Sequence, residues 1–160
     1  MNRFADYFSN YVNDDTITYI GNGDITSFTV SRQDRELAIG LNLESFVDYG
    51  IVENSQNQIA RAMELKKVHI NPRFPKSEFS LDNIERILEY VRHESPAANG
   101  FFDGCEAELE DRTLTLCLKK GGKDVLESQK VDRAIANKIY ELFDLDFVVI
   151  FLEVQAFDIE

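Results

Sequence analysis

Carboxylates and thiols crowd one stretch of this chain. In FFDGCEAELEDRTLTLCLKKGG, Phe101 to Gly122, the residues Asp103, Glu106, Glu108, Glu110 and Asp111 surround Cys105, and Cys117 follows. Clustered oxygens can hold a hard cation, a thiol can act as a nucleophile, and alternating residues can make a β-hairpin. Spacing argues for the last. Glu106, Glu108 and Glu110 stand two apart, about 6–7 Å along a strand, too far to share one small ion. Neither thiol has a histidine or a cationic helix start placed beside it, and a thiol without an activator is weak at neutral pH. The glutamates read as a solvated strand face and Cys105 as a small core residue.

Other motifs resolve in the same direction. Lys119-Lys120-Gly121-Gly122-Lys123 suggests phosphate binding but lacks the GxxxxGK[ST] spacing of a P-loop, so it reads as a strand-to-helix turn with solvated lysines. Asp158-Ile159-Glu160 matches the Asp-x-Glu with which a two-metal exonuclease site begins, yet it ends the chain. His69 falls in a strand and His93 at a helix end, so the two do not form a catalytic pair. A small hydrolase or metal enzyme built on the acidic hairpin would lose activity in Glu108→Ala with the fold intact, and only acidic density supports it. The segment is expected to be non-catalytic, without a cofactor or metal of its own.

The 160 residues suffice for one ordinary domain or two small lobes, and 44% apolar content can fill a core. A net charge of −12 favours solubility and repels a phosphate backbone. No apolar run is long enough to span a bilayer, and Met1-Asn2-Arg3-Phe4-Ala5-Asp6 leads into an amphipathic pattern, which reads as cytoplasmic without a membrane partner. The two cysteines lack disulfide-scaffold spacing, in keeping with a reducing compartment.

Phe4, Phe8, Tyr11 and Val12 recur at helical spacing and predict a helix over residues 2–12. Phe28 and Val30, then Leu37, Ile39, Leu41 and Leu43, alternate around a turn near Arg32-Gln33-Asp34-Arg35 and predict a hairpin. A short helical turn at Leu43–Tyr49 is expected to break at Gly50, before a helix marked by Ile59, Ala62 and Met63 and a strand at Lys67–Ile70. Asn71-Pro72-Arg73-Phe74-Pro75 is the best linker candidate. Beyond it Ser80 can cap a helix whose core face is Leu81, Ile84, Ile87, Leu88 and Val91.

In the opening stretch, pairing Leu109 with Leu114, Ala107 with Leu116 and Cys105 with Leu118 gathers the apolar residues on one face and sends Cys105 and Cys117 to opposite faces. After Gly121-Gly122 a helix turns Val131, Ile135, Ile139 and Leu142 inward and Asp132, Arg133, Lys138 and Glu141 outward. Phe147–Phe151, apolar throughout, predicts a strand central in its sheet.

Asp34-Arg35-Glu36-Leu37-Ala38-Ile39-Gly40-Leu41 aligns with Asp111-Arg112-Thr113-Leu114-Thr115-Leu116-Cys117-Leu118 at an offset of 111 − 34 = 77. The expected fold class is α+β: two KH-like lobes of type II topology, each α-β-β-α-α-β with a three-stranded sheet covered by helices. The first lobe spans residues 1–72, the linker 73–79 and the second lobe 80–156. KH domains hold nucleic acid with a GXXG loop between helices. The matching places, Tyr49-Gly50-Ile51-Val52 and Leu126-Glu127-Ser128-Gln129, lack it.

Val68-His69-Ile70-Asn71-Pro72-Arg73-Phe74-Pro75, Phe79-Ser80, Pro96-Ala97-Ala98-Asn99-Gly100-Phe101-Phe102 and Leu114–Gly122 together resemble the N-terminal region of the PolC-type DNA polymerase III alpha subunit, in the clostridial branch of the low-GC Gram-positive bacteria. The resemblance runs over essentially the whole chain. It implies the first part of a larger cytoplasmic DNA-directed DNA polymerase, a nucleotidyltransferase with 3′–5′ proofreading exonuclease, whose metal ions (magnesium, with zinc a further candidate) belong to later domains. For this segment it implies a non-catalytic protein-interaction module that docks replisome proteins, the clamp-loader tau subunit among them, and meets DNA only through the parent enzyme. Phe74, Phe101 and Phe102 are candidate interface anchors or, equally, a seal between the lobes. The competing expectation is a stand-alone KH-like single-stranded nucleic-acid binder that uses Lys119, Lys120 and Lys123.

Overall fold

A computed structural model describes residues 2–98 and 100–153. The chain is α+β and divides into two compact units, residues 1–78 with 141–143, and residues 79–140 with 144–160. Each unit holds one three-stranded mixed sheet, ordered β1-β2-β3 in the first and β4-β5-β6 in the second.

In the first unit the predicted helix over residues 2–12 is shorter, α1 at Phe4–Phe8, and a second helix, α2 at Asp14–Ile20, follows it. The Asn13 side chain caps α2 by accepting from the Thr16 amide at 2.9 Å, and Asp14 and Asp15 stand at its positive end. Strands β1 (Asp24–Ser31) and β2 (Glu36–Asn42) form the expected hairpin across Arg32–Arg35. The ladder slips between Ile25 and Ser27, and there Gly40 faces the Thr26 and Ser27 hydroxyls so closely that a side chain would collide with them.

Residues 43–48 are not helical, and Gly50 does not stop a helix but lies in the first turn of α3 (Tyr49–Ala62). A first turn lacks intrahelical partners for its amides anyway, so glycine is tolerated there. Strand β3 (Lys67–Arg73) pairs in parallel with β2 and runs through Asn71-Pro72-Arg73. Pro72 is accepted because β3 is an edge strand. Leu37, Ile39, Leu41, Val68 and Ile70 form the buried row of this sheet, with α3 packed on β3. Between α2 and α3, the Gln58 side-chain carbonyl accepts from the Asn13 amide at 3.0 Å and the Thr16 hydroxyl at 3.2 Å.

The second unit starts as expected, except that Leu81 is only half-buried. Ser80 accepts from the Asp82 amide, a 3-10 turn spans Leu81–Asn83, and α4 (Ile84–Arg92) buries Ile84, Ile87, Leu88 and Val91. Strands β4 (Glu106–Glu110) and β5 (Thr113–Leu118) pair with Leu109 opposite Leu114 and Ala107 opposite Leu116. Cys105 precedes the strand. A short α5 (Lys123–Ser128) leads to α6 (Val131–Phe143), which buries Val131, Ile135, Ile139 and Leu142. Lys138, expected outward, is only 9% exposed and reaches Glu94 Oε1 at 2.7 Å. Strand β6 (Val148–Glu153) lies at the sheet's edge, not its centre, beside a central β5.

The sequence repeat maps onto equivalent places. Residue Glu36 opens β2 and Thr113 opens β5, which reproduces the offset of 113 − 36 = 77. The Arg35 carbonyl accepts from Lys66 at 2.8 Å and from Lys67 at 3.4 Å, and the Arg112 carbonyl from Val148 at 2.7 Å, in each case at the entry to the parallel strand. Around this shared core the halves differ. The second unit runs α-β-β-α-α-β, whereas the first runs α-α-β-β-α-β, with the single helix α3 between its parallel strands. Tyr49–Val52 is therefore a helix start in the first unit, and Leu126–Gln129 ends α5 in the second.

Candidate functional site

The pleat of the second sheet sorts its residues by face. Leu114, Leu116 and Leu118 on β5, with Val149 and Phe151 on β6, are buried beneath the helices. Their sequence neighbours must point the other way. The outer face therefore carries three parallel rows. The β4 row is Glu106, Glu108 and Glu110, the β5 row Cys117, Thr115 and Thr113, and the β6 row Leu152, Ile150 and Val148. An acidic row and an apolar row thus flank a floor of small side chains.

The apolar row is open to solvent: Val148 is 59% exposed, Ile150 41% and Leu152 48%. Large aliphatic side chains in alternation on one uncovered face are a recognised mark of an interaction surface. On the acidic row, Glu106 pairs with Lys119 at 3.2 Å, while Glu108 and Glu110 form no ion pair among the described residues.

The hairpin residues singled out in the sequence are separated by the fold. Asp103 meets Lys120 Nζ at 3.3 Å, and Asp111 takes a left-handed turn conformation with φ 54°. Cys105 is half-buried and Cys117 sits in the β5 floor; both are free thiols. Burial pushes the Cys105 thiol above its ordinary value of 9.0, Glu85 adds to the shift and Arg92 opposes it. A raised value disfavours the reactive thiolate. Among the described residues no group of three or more His, Cys, Asp and Glu is placed to hold a metal ion. Asp158 and Glu160 lie outside the described residues.

The lysine-glycine motif is the turn between β5 and α5. Lys119 and Lys120 pair with the carboxylates just named, and the Lys123 amide donates to Glu153 at 2.8 Å. His69 is exposed on the outer face of β3, and His93 caps α4 with Nε2 3.9 Å from Glu89. The aromatic candidates fare unequally. Phe74 is 2% exposed, with its ring centroid 5.0 Å from Phe46 and 5.7 Å from Phe143, all within the first unit. Phe102 is fully buried 6.0 Å from Phe151, so neither ring is presented to a partner, and Phe101 is half-buried over Gly122.

The apolar β6 row escaped the sequence reading because Val148–Leu152 is apolar on both faces, which hides the period of two. A usable signal lay in β5, whose alternation of Leu with Thr and Cys fixes which face of its parallel neighbour is covered. The outer face of the first sheet is polar by comparison, with Ser27, Thr29 and Ser31 on β1, Ala38 and Gly40 on β2, and Lys67, His69, Asn71 and Arg73 on β3. Among the described residues no helix is long and apolar enough to cross a membrane. No protein-family model matches the chain, and no curated protein matches its sequence.

Proposed function

We propose that this chain is a non-catalytic protein-interaction module belonging to a PolC-type DNA polymerase III alpha subunit, and that it docks a replisome protein such as the clamp-loader tau subunit in the cytoplasm. DNA synthesis and proofreading, with the magnesium or zinc they use, then belong to the parent enzyme. One observation carries the interaction reading: the uncovered face of the second sheet, where Val148, Ile150 and Leu152 stay in water beside unpaired carboxylates. The replisome assignment rests on the resemblance in Val68–Pro75, Phe79-Ser80, Pro96–Phe102 and Leu114–Gly122. The net charge of −12 suits a protein partner better than a phosphate backbone.

The order α4-β4-β5-α5-α6-β6 favours a second reading, a KH-like nucleic-acid binder. Against it, Gln129 and Lys130 join α5 to α6 where a GXXG loop belongs, and Lys119 and Lys120 are already paired with carboxylates. The deciding experiment incubates the purified chain with clamp-loader, helicase-loader and sliding-clamp proteins, and titrates single-stranded DNA in parallel at two salt concentrations. A saturable protein complex with negligible DNA binding is expected. Tight, salt-sensitive DNA binding without a protein partner overturns the docking module in favour of the KH-like binder.

A further inference from the structure

We propose that the outer face of the second sheet receives one α-helix of a partner protein, apolar along one flank and rich in lysine or arginine along the other. The inference rests on the protein-interaction reading and supplies the partner's chemistry. Three features specify this occupant.

Width is the first. The apolar row on β6 and the acidic row on β4 are two strand spacings apart, about 10 Å, close to the diameter of an α-helix with its side chains. The floor between them, Thr113, Thr115 and Cys117, consists of short side chains that let a helix axis settle between the rows. Length is the second. Six residues of β6 extend for about 20 Å, which matches about 13 residues of helix at 1.5 Å per residue.

Charge is the third. Glu108 and Glu110 lack ion-pair partners among the described residues, and the whole chain carries −12, so the flank that lies on β4 must be cationic. A second copy of this chain fits poorly, because two molecules of the same strong charge repel and their unpaired glutamates would be carried into the contact. The first sheet is an internal control. Its equivalent face offers Lys67, His69, Asn71 and Arg73 where the second offers Val148, Ile150 and Leu152.

The test uses the full 160-residue chain and a synthetic helical probe. The probe is a fluorescein-labelled peptide of about 14 residues, held helical by a lactam bridge, with leucines on one flank and lysines on the next. Controls are a scrambled peptide and one with glutamate in place of lysine. Anisotropy titration at two salt concentrations should give saturable binding of the lysine peptide alone. Ile150→Thr and Glu108→Lys should each weaken it about tenfold. Glu108→Lys should also flatten the salt dependence, and Thr29→Lys on the first sheet should change nothing.

Equal binding of the scrambled peptide, no binding at all, or insensitivity to Glu108→Lys overturns the proposal. Self-association in sedimentation that Ile150→Thr abolishes overturns it too, in favour of a second copy. Circular dichroism verifies the fold of each variant, and Glu108→Lys, at an exposed position, remains decisive should Ile150→Thr unfold. If replisome proteins bind and neither variant affects them, this surface fails and the docking module stands. If neither they nor the peptide bind, both readings fail.

Discussion

Two ion pairs of the second unit differ in how much water reaches them. Lys138 Nζ lies 2.7 Å from Glu94 with its side chain 11% exposed, whereas Arg112 and Asp146 meet at 3.7 Å with side chains 75% and 78% exposed. Solvent screens the second pair almost completely, while the first compensates a largely buried ammonium. Glu94→Gln should lower stability in urea by about 1 kcal/mol, and Asp146→Asn by less than about 0.5 kcal/mol. Cys105 makes a pH-dependent difference. Its folded thiol holds the proton more tightly than an unfolded one, so its contribution is intact below pH 9.0 and is lost as pH rises through the higher folded-state value. Between about pH 8 and pH 10 the wild type should therefore lose more stability than Cys105→Ala, as read from urea midpoints. Residue chemistry of this kind was only half legible in the sequence. The separation of the hairpin carboxylates follows from strand geometry alone, but the sequence points Lys138 outward because helical periodicity cannot register a single buried lysine with a carboxylate from another segment.

At the scale of elements, turn chemistry is where single substitutions bite. Gly122 joins β5 to α5 with φ 92°, and a methyl group there would run into the Phe101 ring. Gly122→Ala should cost about 1–3 kcal/mol through left-handed strain and overpacking, measurable as a lowered urea midpoint. The β4–β5 register is legible in the sequence, because a slip by one residue would set leucines against glutamates. The helix α2 is not. Its residues Asp14–Ile20 are polar apart from Ile17, Tyr19 and Ile20, too few to show a 3.6 period, and its start is fixed by the Asn13 cap. The sequence of β6 predicts a central strand because continuous apolar runs usually mean burial on both sides. Here the outward half of the run stays in water, and that departure from the pattern is what marks the surface.

The whole molecule has one property that neither pattern nor repeat foreshadowed: its first unit is discontinuous in sequence. It is completed by Glu141–Phe143, the last turn of α6. The Phe74 amide donates to the Leu142 carbonyl at 2.6 Å, and Phe143 stacks on Phe46 at 5.9 Å. Phe143→Ala should destabilise the chain by about 3–5 kcal/mol, and a fragment of residues 1–78 should unfold less cooperatively than the intact chain. Chemical denaturation followed by circular dichroism checks both.

Discontinuity also governs the order of events during synthesis. After residue 78 the ribosome must add 143 − 78 = 65 residues before the first unit has all its parts, about 3–13 s at the usual 5–20 residues per second. Through that interval the pocket that Phe143 will fill leaves Phe46 and Phe74 open to chaperones and to aggregation. The second unit needs only the ten residues from 144 to 153 beyond that point to complete β6. The nascent chain thus gains both halves nearly together.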